Sequence, residues 1–359
     1  MKTTKPRPIK VTLADISKAA EVSPAAASMI LNGREGVSFA EETVRRVLEA
    51  AERLNYRGPG GKRVRGANYE RQTILIVTPN MLNPYYATVI QAIQQAAHAK
   101  NFDTLVYATY RDMEKEINGL HLAEKAELAG VIFTMMAFPT EVIERINRKI
   151  PVVVIGDNNS SLTVDTVDLN NFNAGALVAR HLISLGHRHV AFVATPLNQS
   201  NSARVRRLEG IQAVFRDECP EGSVLVKSRA YLPFEELDNM SIEHAVGYEL
   251  TRECLRDNKK VTAFMAVNDM VAYGVLDAIH TSGFTVPGDY SVSGFDNIFP
   301  SRFAKVDLTT VEHFISDKGR NAFDILYARI SGAASDRNIT RVEFKSHLIE
   351  RGSTGAARQ

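Results

Sequence analysis

The sequence lacks most of what would place it outside a reducing aqueous compartment. Its only cysteines, Cys219 and Cys254, cannot build a disulfide framework in a chain of 359 residues, and they point to the cytosol. The opening MKTTKPRPIKVTLADIS has no apolar core for a signal peptide. No run reaches the ~18 apolar residues of a membrane helix, so no membrane partner is expected. These absences argue against a secreted solute-binding protein. Also missing are a Gly-x-Gly-x-x-Gly or Walker phosphate loop, a Gly-x-Ser-x-Gly elbow and any metal-ligand spacing, so neither enzyme activity nor a cofactor or metal is expected. His187 and His189 sit in a turn between a helical and an extended stretch with no Cys or carboxylate cluster nearby, and read as structural. No internal repeat suggests a solenoid.

What the chain does have is a head with its helix signals written in, VTLADISKAAEVSPAAASMILNGREGVSFAEETVRRVLEAAERL. Thr12 and Asp15 spell a capping box, and Leu13, Ile16 and Ala20 recur on one face. Ser23 suits an N-cap, Pro24 the first helical position, and Asn32-Gly33 a helix stop. Ser38 with Glu41 is a second capping box, and Val44, Val47, Leu48, Ala51 and Leu54 form the stripe of a third helix. Two helices across a short turn with a third behind them is the helix-turn-helix plan. The exposed positions of the second helix (Pro24, Ala25, Ala26, Ser28) are small, so it can approach another surface closely. Residues 1–71 carry 14 Lys+Arg against 8 Asp+Glu, and the other 288 carry 29 against 33. A basic head on a slightly acidic body is the electrostatic footprint of a DNA reader.

Residues 58–72 are a glycine-rich linker. Beyond it, short β-branched runs alternate with helical stretches, which predicts an α/β body with parallel sheets. The apolar runs hand over to polar residues at Thr78-Pro79-Asn80, Thr134, Asp157, Thr195, Asn268-Asp269 and Asp296-Asn297. In open α/β sheets that edge is where ligands bind. Six such residues divided between the two halves of the body predict two sheets facing one cleft. Helices are expected at about 85–100, 113–127, 173–185, 203–217, 242–257, 271–282 and 318–331.

The sequence resembles the lactose/galactose repressor family of bacterial transcription regulators from Val11 to about Thr354. The pieces that carry the resemblance are VTLADISKAAEVSPAAASMILNG, Asn83-Pro84-Tyr85-Tyr86, HLISLGHRHVAFVATPL, AVNDMVAYG, VPGDYSVSGFDN and LIERGST. The resemblance implies a helix-turn-helix domain at 10–57 and, at 73–354, an effector core of two doubly wound subdomains like those of periplasmic sugar-binding proteins. It puts the first subdomain at about 73–169 and 298–313 and the second at 170–297 and 314–354, with crossings near Leu169, Ile298 and Val311–Ser316. It also implies a cytoplasmic homodimer on pseudo-palindromic operator DNA, with its interface on the helix at 85–100.

By the same resemblance the base-contacting positions are Pro24, Ala25 and Met29, with Thr12, Ser23, Ala26, Ser28 and Asn32 toward the phosphates. Many relatives have Thr at Ala26 and Arg at Met29. Arg reads guanine with two hydrogen bonds, whereas Ala and Met offer thymine methyls only apolar contact, so an A·T-leaning half-site is expected. The linker also departs from the family. A hinge helix is usual there, but this chain has Gly58-Pro59-Gly60-Gly61-Lys62-Arg63-Val64-Arg65. Each interior Gly costs a helix about 1 kcal/mol relative to Ala. Either Arg63 and Arg65 enter a narrow minor groove as cations, or the run is a plain tether.

The family's effector positions fall on Asn80, Tyr85, Tyr86, Thr134, Asp168, Arg207, Asn268 and Asp296. Arg204 and Arg206 are alternatives to Arg207, and Tyr231 is a further wall in what looks like an insertion at 231–239. Paired hydroxyls bridging Asp and Arg or Asn, with a sugar face on an aromatic ring, make a sugar or sugar derivative the favoured effector. A purine or nucleoside stacked on the tyrosines is the alternative. An architectural DNA-binding protein with a silent cleft is the competing class.

Overall fold

The computed structural model describes residues 11–31, 39–54, 56, 72–135, 140–156, 162–198, 201–239, 241–257, 260–334 and 338–358. It divides into two compact units, Met1–Arg71 and Gln72–Gln359.

The first unit has three helices, α1 (Leu13–Ala19), α2 (Pro24–Leu31) and α3 (Glu41–Arg53). The capping box is present at α1. Thr12 Oγ1 donates to Asp15 Oδ2 at 2.7 Å while the Thr12 N–H donates to the same oxygen at 2.8 Å. These hydrogen bonds hold the Asp15 carboxyl below its usual pKa. Ser23 Oγ accepts from the Ala26 N–H at 3.1 Å, which opens α2 at Pro24. Glu21 takes the left-handed conformation (φ 55°) that turns the chain between the two helices. Ile16, Ala20, Ala27, Ile30, Leu31, Val47, Ala50 and Ala51 close the small core. The Asn32-Gly33 stop and the Ser38–Glu41 capping box lie outside the described residues.

The second unit has two six-stranded sheets. The first contains β1 (Gln72–Thr78), β2 (Phe102–Ala108), β3 (Gly130–Phe133), β4 (Val152–Ile155), β5 (Asp165–Leu169) and β11 (Arg341–Phe344), in the order β11-β5-β4-β3-β1-β2. All its pairings are parallel. Helices α4 (Pro84–His98) and α12 (Ile315–Ile330) cover one face, and α5 (Met113–Lys125) and α6 (Thr140–Asn147) cover the other. The second sheet contains β6 (His189–Ala194), β7 (Ser223–Ser228), β8 (Ala263–Ala266), β9 (Ser291–Asp296), β10 (Thr309–Glu312) and β12 (Leu348–Ile349), in the order β12-β10-β9-β8-β6-β7. Only the β10–β12 pair is antiparallel. Its helices are α7 (Asn171–Ser184), α8 (Ser202–Glu218), α9 (Pro233–Asp238), α10 (Ile242–Asp257) and α11 (Asp269–Thr281).

Two sheets on either side of a cleft match the expectation, but the lobe boundaries need correction. The family resemblance puts residues 298–313 in the first lobe and 314–354 in the second. The strand pairings do the reverse for most of this stretch. β10 pairs with β9, so the chain stays in the second lobe through Glu312. α12 then returns to the first lobe, where Ala322, Phe323 and Leu326 pack with Val89, Ile90 and Ile93 of α4. β11 pairs with β5, and β12 returns to the second sheet. The crossings therefore fall at 169–171, 313–314 and 345–347. The last two touch: Phe314 (φ 50°) stacks on Phe344 at 5.3 Å and meets His347 edge-on at 5.3 Å. β10 was hidden because its four residues, TTVE, are too short and polar to register as a strand.

Asp269 sits wholly buried behind the cleft and ties the loop after β9 to β10. Its carboxylate accepts from the Ile298 N–H (3.1 Å), Ser301 Oγ (2.6 Å) and Thr310 Oγ1 (2.6 Å). Burial nevertheless pushes its pKa up to about 6. His187 is also structural, wholly buried between Thr262, Ser291 and the Gly355 carbonyl.

Candidate effector cleft and DNA-reading helix

The cleft between the lobes holds about 670 Å³ of space free of protein atoms, part of it open to solvent. Seven of the eight expected residues line it: Tyr85, Tyr86, Thr134, Asp168, Arg207, Asn268 and Asp296. The eighth needs correction. Asn80 opens onto an adjoining cavity with Met81, Leu82, Tyr110, Leu237 and Met270, and its amide donates to Glu236 Oε1 at 2.5 Å. Its side-chain oxygen is also taken, accepting from the Asn83 N–H at 2.9 Å. Tyr231, the suggested extra wall, lines neither cavity.

At the centre lies a chain of polar groups from the second lobe and the crossing at His313. Arg207 Nε donates to Asn171 Oδ1 at 3.0 Å and Nη1 to the Val267 carbonyl at 2.5 Å, and its guanidinium lies 4.9 Å from the Phe295 ring centre. Arg207 Nη2 is 3.2 Å from His313 Nε2. A guanidinium can only donate, so His313 Nε2 accepts and the ring proton sits on Nδ1. That N–H is buried without a partner and lies 3.7 Å from Asp296 Oδ1, beyond hydrogen-bond reach. Burial, with Lys318 and Arg207 adding to it, depresses the His313 pKa well below the usual value, so the ring is neutral. Burial also raises the Asp296 carboxyl well above its usual value, against the pull of Arg207. Asp296 (φ 127°) and Asn297 (φ 54°) are consecutive residues in the left-handed half of backbone space, which turns the chain at the end of β9 beside the cleft.

Asp168 lies 3.9 Å from Lys318 Nζ, both nearly solvent-free. Tyr85 and Tyr86 stand edge to face (5.1 Å, 86°), and Tyr85 also meets His313 edge-on (5.8 Å, 78°). Asn83 caps α4 by accepting from the Tyr85 N–H at 2.9 Å, which fixes where the tyrosines start. Glu243 of α10 gathers Asn83 Nδ2 (2.7 Å), Arg204 Nη2 (3.1 Å) and Asn268 Nδ2 (3.0 Å). The other end of the Asn268 amide caps α11 at Val271, so this expected contact residue is committed at both ends. Thr134 donates to Thr78 Oγ1 at 2.9 Å.

Sequence reasoning missed Arg111, Asn171, His313 and Lys318. A Lys or Arg between polar neighbours reads as solvated surface, and nothing local marks it as buried. Among the described residues no cluster of three or more His, Cys, Asp or Glu could hold a metal, and no helix is long and apolar enough to cross a membrane.

In the head, Ser23, Pro24 and Ala25 are exposed at the start of α2, and Ala26, Ser28 and Met29 are half-buried. Ala27, Ile30 and Leu31 on the opposite face are buried. Thr12 is exposed, but its hydroxyl proton is held by Asp15. Asn32, Arg63 and Arg65 lie outside the described residues.

A helix-turn-helix head and a two-lobed cleft lined with polar groups define a ligand-responsive DNA-binding protein. Residues 12–58 match the family described as "Bacterial regulatory proteins, lacI family", and residues 179–354 match the "Periplasmic binding protein-like domain". The chain thus joins a lacI-family helix-turn-helix domain to a periplasmic-binding-protein-like domain. It is a transcriptional repressor with an effector-binding domain, and its relatives and fold are those of regulators rather than enzymes. A similar curated protein is the HTH-type transcriptional repressor PurR of Actinobacillus pleuropneumoniae serotype 3, 29% identical over 95% of this chain and 98% of that one. A LacI family regulator from Enterococcus faecium with bound ribose is 26% identical, covers 80% of this chain and all of its own, and superposes with a TM-score of 0.68. The lac repressor dimer bound to operator and an anti-inducer is 22% identical, covers 97% of this chain and all of its own, and has a TM-score of 0.72.

Proposed function

We propose that this repressor binds a pseudo-palindromic operator as a homodimer, and that a sugar or sugar derivative in the cleft sets its affinity for DNA. The observation that carries the effector reading is the gap between His313 Nδ1 and Asp296 Oδ1, 3.7 Å across beside the Arg207 guanidinium. A ligand hydroxyl between them accepts from the imidazole N–H and donates to the carboxylate, satisfying both, and Tyr85 offers an aromatic face to the ring. The ribose-bound relative supports the reading.

A purine or nucleoside is the second reading, favoured by the PurR name of the curated relatives. Against it, the rings lining the cleft meet edge to face rather than as a parallel slot. A thermal-shift screen of sugars, polyols, purines and nucleosides separates the two. A ligand at 100 times its Kd adds about 2.7 kcal/mol of stability. A shift with sugars supports the first reading, a shift confined to bases or nucleosides replaces it with the second, and no shift contradicts both.

On DNA, Pro24, Ala25 and Met29 meet base edges in a half-site lacking a required G·C pair at Met29, with Thr12, Ser23, Ala26, Ser28 and Asn32 nearer the phosphates. Homodimerisation uses the exposed face of α4, where Gln91, Gln94, Gln95 and His98 form an uncovered polar row opposite the buried Val89, Ile90 and Ile93. Light scattering at micromolar concentration checks it, and a monomer contradicts it.

A further inference from the structure

We propose that the effector carries an anionic group, a phosphate or a carboxylate, received by Arg111 from the first lobe and by Ser202 and Arg204 from the second. This deepens the effector reading and rests on it. Four cations line the cleft, Arg111, Arg204, Arg207 and Lys318, against two carboxylates, Asp168 and Asp296. Lys318 faces Asp168, and Arg204 gives one Nη to Glu243 behind the wall. Arg111 forms no ion pair among the described residues. Its Nη2 donates to the Tyr86 hydroxyl at 2.7 Å, a neutral partner whose proton burial holds more firmly still.

Three donors in this wall are sealed from solvent and have no hydrogen-bond partner: Arg111 Nε, Ser202 Oγ and Arg204 Nη1. All three residues line the same cleft, and Arg204 is only 8% exposed. Buried donors are seldom left unmatched, because the water they lose must be replaced. Two of them sit in the first turn of α8, a 17-residue helix with no acidic residue in that turn and no side-chain cap. Its N-cap residue, Asn201, turns its amide onto Asn198 at 2.7 Å instead. The positive end of the helix dipole therefore adds to the guanidinium charge. Arg204 and Arg207 are three residues apart on α8, about 4.5 Å in rise. That spacing lets one small ligand place hydroxyls at Arg207, His313 and Asp296 and an acidic substituent at Arg204 and Arg111. Because the anion is held from both lobes, it bridges them.

The test uses the full-length protein and matched ligands in calorimetry: ribose with ribose 5-phosphate, glucose with glucose 6-phosphate and glucuronate, inosine with inosine monophosphate. The expected result is that, in the set the protein recognises, an acidic member binds at least tenfold more tightly than its neutral parent. Preference for the phosphate or for glucuronate identifies the anion. Arg111→Gln should remove most of that preference, and Arg111→Lys, which keeps the charge, should restore part of it. Ser202→Ala gives a second, milder loss should Arg111→Gln fail to fold. A neutral parent binding as well as or better than its acidic partners overturns the inference but leaves the effector reading standing. No binding by any member of any set overturns both.

Discussion

Helices α7 and α8 cross through a reciprocal pair of glycines, and filling either should disturb the effector site from behind. A Cβ on Gly175 would meet the Arg207 carbonyl oxygen at 2.0 Å, and one on Gly210 would meet the Phe172 carbonyl oxygen at 2.0 Å. Ordinary contact begins near 3.4 Å, so Gly175→Ala forces the helix backbones about 1.4 Å apart at this point. The opposing atom is a carbonyl locked in a helix and cannot rotate away as a side chain could. Overpacking costs about 1–3 kcal/mol, and a backbone clash of this depth belongs at or above the upper end. Replacing a helix-interior Gly returns about 1 kcal/mol. The net loss is therefore about 2 kcal/mol, or about 4–8 °C in Tm at 2–4 °C per kcal/mol. Because the displaced residue is Arg207, its hydrogen bonds to Asn171 and Val267 shift with it, and effector affinity should fall as well. Scanning fluorimetry and calorimetry read the two effects. Gly119→Ala is the control: its Cβ would meet side chains alone, the Tyr107 ring at 3.1 Å, which can yield, and Leu75 at an ordinary 3.9 Å. If Gly175→Ala melts within a degree of the parent and binds effector normally, the packing argument is wrong.

Asp269→Ala strands three buried donors on Ile298, Ser301 and Thr310, and should cost at least about 3 kcal/mol in urea unfolding, at about 1–3 kcal/mol per unmatched group. A loss under 1 kcal/mol would remove Asp269 as the tie between the β9 loop and β10. Burial lowers the His187 pKa, so the folded chain resists protonation there. The stability this contributes is complete above about pH 6.5 and is lost as pH falls below it. Asp269, raised to about 6, acts in the opposite sense, gaining stability as pH falls. The His187 share is therefore read as a difference: His187→Gln should lose less stability than the parent between pH 7.5 and 5.5, and parallel profiles would contradict this. Selection from random DNA should return half-sites without a required G·C pair opposite Met29, and Met29→Arg should acquire one.

Much of the architecture is written locally. Thr12-Asp15, Ser23-Pro24 and Asn83-Pro84 each signal a helix start through short-range chemistry, and each makes the hydrogen bond its residue type suggests. Asn268 and Asp296 stood out because each follows a buried apolar run with a polar residue, and both line the cleft, although Asn268 also caps α11. The remaining features depend on long-range pairing. Whether 309–312 joins the first sheet or the second is decided by its partner β9, and the lobe of α12 by a match with α4, far earlier in the chain. Lys318 and Arg111 look like surface cations until the fold encloses them. The edge strands β2 and β7, half-buried, lack the continuous apolar runs that marked the central strands.

The central claim is that a ligand in the cleft changes affinity for operator DNA. The direct measurement is fluorescence anisotropy of a selected operator duplex at fixed salt, with and without a saturating ligand identified by calorimetry. The parent should show at least a tenfold change in Kd, about 1.4 kcal/mol of coupling, and Asp296→Asn should respond only at much higher ligand concentration. If operator affinity is the same with the cleft empty and filled, the cleft does not govern DNA binding and the account fails.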